Sequence, residues 1–92
     1  MALLSDSEVR EKLAGLSGWA RSGEAIEKSF KREDFVGSVR FVDNLVESAE
    51  AMNHHPDLAI SWDTVTVTIS THSEGGLTAA DFELAEKIDA LA

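Results

Sequence analysis

Apolar residues in the first part of the chain recur every three or four positions. Val9, Leu13 and Leu16 fall on one face of a helix. Ser5 precedes that run and Glu8 follows three residues later, a capping box in which the two side chains satisfy free backbone N–H groups reciprocally. Gly15 and Gly18 close the element. A short hairpin is expected next, on weaker alternation: Trp19 to Arg21, a Ser22-Gly23 turn, then Ala25 to Lys31 with Ile26 and Phe30 inward.

Asp34 is suited to cap a long helix that runs to about Met52. Its main apolar stripe is Phe35, Val39, Val42, Val46 and Ala49. A second flank is formed by Phe41, Leu45 and Met52, with Gly37, Ser38 and Ser48 beside it, while Arg40, Asp43, Asn44, Glu47 and Glu50 keep to the polar side. An apolar arc this wide exceeds what one sheet face covers, so packing between subunits through this helix is expected.

Leu58, Ile60 and Trp62 then alternate with Ala59 and Ser61, the pattern of a strand. The clearest strand follows Asp63, with Val65, Val67 and Ile69 on one face and Thr66, Thr68 and Ser70 on the other. Ser73-Glu74-Gly75-Gly76 reads as a loop. Thr78 and Asp81 cap a last helix whose inward residues are Leu84, Ile88 and Leu91, with Phe82 and Ala85 alongside. The order α-β-β-α-β-β-α predicts an α+β fold: a four-stranded antiparallel sheet with helices packed on one face. With 92 residues, 1–92 is expected to form a single domain.

Charge narrows the function classes. Seventeen acidic residues against eight basic ones give a formal charge of −9, which repels nucleic acid and strongly anionic substrates but not a neutral or cationic small molecule. The nearest basic cluster, Lys28, Lys31 and Arg32, is interrupted at once by Glu33 and Asp34, so no direct nucleic-acid binding is expected. No apolar run approaches membrane-spanning length, and the first residues lack the basic-then-apolar order of a secretory leader. A cytoplasmic location without membrane partners is therefore expected. Cysteine is absent, so any catalysis must use His, Asp, Glu, Ser, Thr or Lys. Nucleotide-binding glycine motifs and nucleophilic-serine motifs are also missing.

All three histidines lie between positions 54 and 72. Asn53 suits a left-handed helix stop and Pro56 cannot continue a helix, which sets His54 and His55 at a helix-to-strand corner. A residue before proline is pushed toward extended backbone, so His55 should diverge from His54. His72 lies at the far end of the strongest strand, and if that strand runs so far, parity puts it with the threonines. Antiparallel pairing brings the start of the Leu58 strand beside the end of the Val65 strand, and so gathers the three rings. Imidazole exchanges protons near neutral pH, and one ring can act as acid while another acts as base. A zinc site is the weaker reading. Consecutive extended residues point apart, and no zinc-binding spacing is present even if Asp57 or Glu74 replaced one ring.

Glu50, His54-His55-Pro56, Trp62, His72 and Asp81, at these spacings, resemble the signature of the pterin-4a-carbinolamine dehydratases. Gly18-Trp19, the Phe30 strand and the helix from Phe35 are similar to that family too. The resemblance implies dehydration of a 4a-hydroxytetrahydropterin, the spent cofactor of an aromatic amino acid hydroxylase, to the quinonoid dihydropterin. It implies no cofactor and no metal. His54 and His72 are the implied general acids, and His55 the residue that orients the pterin or serves as base. Glu50 is implied to fix an imidazole tautomer or else is a solvated helix carboxylate, and Trp19 either stacks near the pterin or is simply a core residue. Thr71, Ser73 and Glu74 match the segment that contacts substrate, with Pro56 as a geometric constraint. Trp62 and Asp81 take structural readings, strand packing and a helix cap. Ala80 stands where mammalian members carry an arginine, which puts substrate affinity or pterin preference in doubt. Family members assemble as tetramers through the long helix, so a dimer or tetramer through residues 34–52 is implied. Mammalian members also serve as the dimerisation cofactor of a homeodomain transcription factor, which keeps a protein-interaction module as the alternative function.

Overall fold

The computed structural model describes residues 2–92. Helix α1 (Asp6–Ala14) is followed by strands β1 (Ala20–Ser22) and β2 (Ala25–Lys31), then helix α2 (Phe35–Met52). Strands β3 (Asp57–Ser61) and β4 (Thr64–Ile69), a 3₁₀ turn over His72–Glu74 and helix α3 (Ala79–Asp89) complete the chain. The four strands form one antiparallel sheet in the order β1-β2-β4-β3, and the element order is the one expected from sequence.

The caps decide where the helices begin and end. Both halves of the Ser5–Glu8 box are made, and Asp34 accepts the Gly37 N–H at 2.7 Å. Asn53 ends α2 in the left-handed region at φ 49°, and Thr78 with Asp81 forms the box that opens α3.

One face of the sheet carries the core. Val65, Val67 and Ile69 of β4, with Ile26 and Phe30 of β2, are buried beneath the helices. Against them lie Phe41 and Leu45 of α2 and Phe82, Leu84, Ala85 and Ile88 of α3. Each fully buried Val, Leu, Ile or Phe among them contributes about 1.5–3 kcal/mol. The opposite face is polar: Ser29 and Thr66 share a hydrogen bond at 3.0 Å, and Thr68 donates to Glu27 at 3.0 Å.

Several local expectations are corrected. The first hairpin turns at Gly23-Glu24, one residue later than read, because Gly23 takes the positive φ (62°) and Ser22 pairs with Ala25. The buried row of α2 is Ser38, Phe41, Leu45 and Ala49, whereas Phe35, Val39 and Val46 of the expected main stripe are exposed. Small Ser38 lets the helix approach the β3–β4 turn, where its hydroxyl donates to the Trp62 carbonyl at 2.7 Å; a valine there could not. Phe41 meets Phe30 at 4.8 Å between ring centres.

Trp62 is not a strand-packing residue. Pairing of Ser61 with Thr64 leaves a two-residue turn, which demands positive φ, so Trp62 sits at φ 51° with 69% of its surface exposed. Leu91 lies beyond α3 and is exposed instead of inward.

Candidate active site

The end of α2 is built by backbone geometry. The His54 N–H reaches the Ala49 carbonyl at 3.0 Å and the Asn53 N–H reaches Glu50 at 3.1 Å, the paired bonds of a left-handed helix stop. His54 leaves this corner toward α3, and its Nε2 lies 2.6 Å from Oδ1 of Asp81. That carboxylate is fully buried. Its Oδ2 accepts the Thr78 N–H at 2.8 Å and the Thr71 hydroxyl at 2.9 Å.

Thr71 in turn anchors the segment before α3. Its N–H donates to Gly76 at 2.9 Å, and its carbonyl accepts the N–H groups of Glu74 and Gly75. A tight turn results, with Gly75 at φ 73°. β4 stops at Ile69, so His72 belongs to this turn and not to the strand. Its ring is exposed; Nε2 lies 3.5 Å from the Ser70 hydroxyl and 3.9 Å from the Asp57 carboxylate.

A hollow of about 530 Å³ opens between these parts. Asn53 and His54 border it from the corner, Thr71 and Ser73 from the turn, and Ala80, Glu83 and Lys87 from one face of α3. That volume lies in the range of small-molecule sites. Thus His54, Thr71 and Ser73 are brought to one place, with His72 between the latter two in the chain.

His55 takes a different direction. Its Nε2 meets the Glu50 carboxylate, and together with Pro56 and Leu58 the pair borders a smaller recess of about 130 Å³. The divergence is what extended backbone before proline requires. Glu74 borders neither hollow.

Trp19, for which the sequence leaves stacking near the pterin and core packing both open, is a core residue. It is buried edge-on to Phe30 at 6.0 Å, and its indole N–H donates to Asp89 at 3.0 Å. A bulky aromatic next to the first strand, flanked by inward Ile26 and Phe30, is sufficiently explained by packing.

Asp81 was undervalued by sequence reading. The Thr78 capping box gave a complete local reason for an acid there, and nothing local to α3 points to a histidine 27 positions earlier. Its fixed spacing after His72 was the one signal available. Glu83 and Lys87 were also not anticipated; they follow Ala80 at helical spacing. Among the described residues, no group of three or more His, Asp or Glu side chains is arranged to hold a metal ion, and no helix is long and apolar enough to cross a membrane.

Comparison with known proteins agrees over the whole chain. The family model described as "Pterin 4 alpha carbinolamine dehydratase" matches residues 2–91. A Roseiflexus castenholzii protein named "Putative pterin-4-alpha-carbinolamine dehydratase" is 49% identical, over 96% of this chain and 95% of its own. A Nocardia farcinica protein of the same name is 48% identical, over 98% and 95%. A crystal structure of a transcriptional coactivator/pterin dehydratase from Brucella melitensis superposes with a TM-score of 0.95 at 39% identity, covering 99% of both chains. A pterin dehydratase-like RuBisCO assembly factor of the alpha-carboxysome shares the fold at a TM-score of 0.65 and 23% identity, over 80% of this chain and 86% of its own.

Proposed function

Since the chain belongs to the pterin-4a-carbinolamine dehydratase family, we propose that it dehydrates a 4a-hydroxytetrahydropterin to the quinonoid dihydropterin, in the cytoplasm, by histidine acid–base catalysis. The observation that carries this reading is His54: a proton-exchanging ring beside a hollow in the size range of small-molecule sites, backed by a fully buried carboxylate. Hydroxide is a poor leaving group. An acid therefore protonates the 4a-hydroxyl as its C–O bond breaks, while a base removes a ring-nitrogen proton and the new double bond forms. Water and the quinonoid product balance the equation without metal, cofactor or covalent adduct.

His54 and His72 are assigned the acid role, from the corner and from the turn. His55, on its more exposed mount with Glu50, orients the pterin or serves as base, and Pro56 fixes the angle between the rings. Thr71 and Ser73, which border the hollow, contact substrate from the turn, and Glu74, which does not border it, is left out of that set. Ala80 offers a methyl group where an arginine would reach in, so binding there rests on shape. The substrate is the small-molecule partner, and direct nucleic-acid binding is not part of this reading.

The test is to follow breakdown of the carbinolamine and formation of quinonoid product. Enzyme at micromolar concentration should outpace buffer by a wide margin; equality with buffer would end the enzyme assignment.

We also propose the dimer or tetramer expected through residues 34–52, on one observation. Phe35, Val39 and Val46 of α2 lie exposed, as do Leu58 and Ile60 of β3, the sheet's edge strand. A patch of this kind is a contact surface, and we assign it to a second copy of this chain, giving a dimer or tetramer. Light scattering should find an oligomer for wild type and a smaller species for the double substitution Val39→Asp, Val46→Asp. A monomeric wild type would reject it.

A further inference from the structure

We infer that Asp81 is the positioning residue of this site: it holds the neutral His54 ring as the Nε2–H tautomer, so that the ring works on substrate through Nδ1. The substrate half of this statement rests on the dehydratase reading; the tautomer does not.

Hydrogen-bond directions at Asp81 lead to the assignment. An ionised carboxylate only accepts. Its Oδ2 already takes two donors, the Thr78 N–H at 2.8 Å and the Thr71 O–H at 2.9 Å. Thr71 has one hydroxyl hydrogen and gives it to Asp81, so the 2.9 Å contact between the Thr71 and Thr78 hydroxyls must be donated by Thr78. Thr78 Oγ1 accepts from the Ala80 N–H at 3.3 Å. Every hydrogen in this chain points toward the carboxylate. Oδ1, facing Nε2 at 2.6 Å, is the remaining acceptor, and Nε2 must supply the hydrogen. Asp81 also lies in the first turn of α3, where the helix dipole favours negative charge.

The other ring nitrogen is left for chemistry. Among the described residues no hydrogen bond is made to Nδ1 of His54, yet no buried side-chain nitrogen or oxygen lacks a partner. Nδ1 is therefore accessible. A neutral ring takes a proton there, and an imidazolium gives one from there, while the Nε2 hydrogen stays with Asp81 throughout. The same carboxylate holds Thr71, the residue before His72, so one buried group sets the placement of two proposed acids.

Asp81→Asn discriminates sharply. The amide oxygen can still accept the Thr78 N–H and keep the cap, but its NH₂ then donates toward His54 and forces the opposite tautomer. Two-bond ¹H–¹⁵N spectra of substrate-free protein at about pH 8, where imidazole is neutral, should show Nε2–H for wild type and Nδ1–H for Asp81→Asn. kcat should fall about 10²-fold or more with KM changed far less, because the acid form is the imidazolium, whose Nε2–H finds an acceptor in the carboxylate but meets an N–H donor in the amide, while circular dichroism stays that of wild type.

A wild-type spectrum showing Nδ1–H would overturn the inference even if the variant failed to fold. So would an Asp81→Asn enzyme with wild-type kcat. Wild type showing Nε2–H without any dehydration would support the tautomer and reject the dehydratase reading instead.

Discussion

His54 keeps 14% of its side-chain surface exposed and rests on a carboxylate with none, whereas His55, the next residue, is 56% exposed and meets a Glu50 that is 67% exposed. Both pairs are imidazole against carboxylate at similar reach. Their energetic weight is nevertheless very different. An exposed pair is screened by water and salt and is worth about 0–1 kcal/mol. Removing a buried carboxylate that accepts several hydrogen bonds leaves its donors unsatisfied, at about 1–3 kcal/mol each. The first ring is fixed by the fold; the second is free to adjust. The proposed dehydration has use for both, a group held in place and another that follows the substrate.

This contrast can be broken by removing each carboxylate. Asp81→Ala should lower unfolding free energy by about 3–5 kcal/mol in urea titration, since it removes the acceptor of His54, of the Thr71 hydroxyl and of the Thr78 N–H together. Glu50→Ala should stay within about 0.5 kcal/mol of wild type. Equal losses would erase the distinction.

The smallest expected effect concerns Glu8, another exposed carboxylate. Hydrogen bonds from the Ser5 backbone N–H, and next from the Ser5 hydroxyl, hold its pKa below the usual carboxylate value. A depressed folded-state pKa means that its stabilisation is complete above the ordinary value and fades as pH falls through the folded one. Glu8→Gln should therefore slightly flatten the acid side of the stability curve, read from urea midpoints across that range, without touching activity.

The elements themselves were legible because their signals are local. Ser5 with Glu8, Asp34, Asn53 and Thr78 with Asp81 each satisfy backbone groups within a few residues, and each sits where sequence spacing put it. The threonine–valine alternation of β4 likewise has one solution. The inward face of α2 did not, because two apolar rows compete and the choice falls to Ser38 meeting a carbonyl 24 positions away. Trp62 misled for a related reason: its alternation with Ile60 was genuine, but the register turned the chain there. Strand pairing was expected to gather His54, His55 and His72; instead Thr71 and Ser73 border the hollow with His54 while His55 turns to its own recess, and the partner of each imidazole came from packing that no spacing encodes.

The most direct test of the proposed catalysis is the rate of carbinolamine breakdown measured side by side for wild type, His54→Ala and His55→Ala. The anchored ring should matter more, with kcat reduced about 10²- to 10⁴-fold in His54→Ala and His55→Ala acting more through KM. A His54→Ala enzyme as fast as wild type would contradict it.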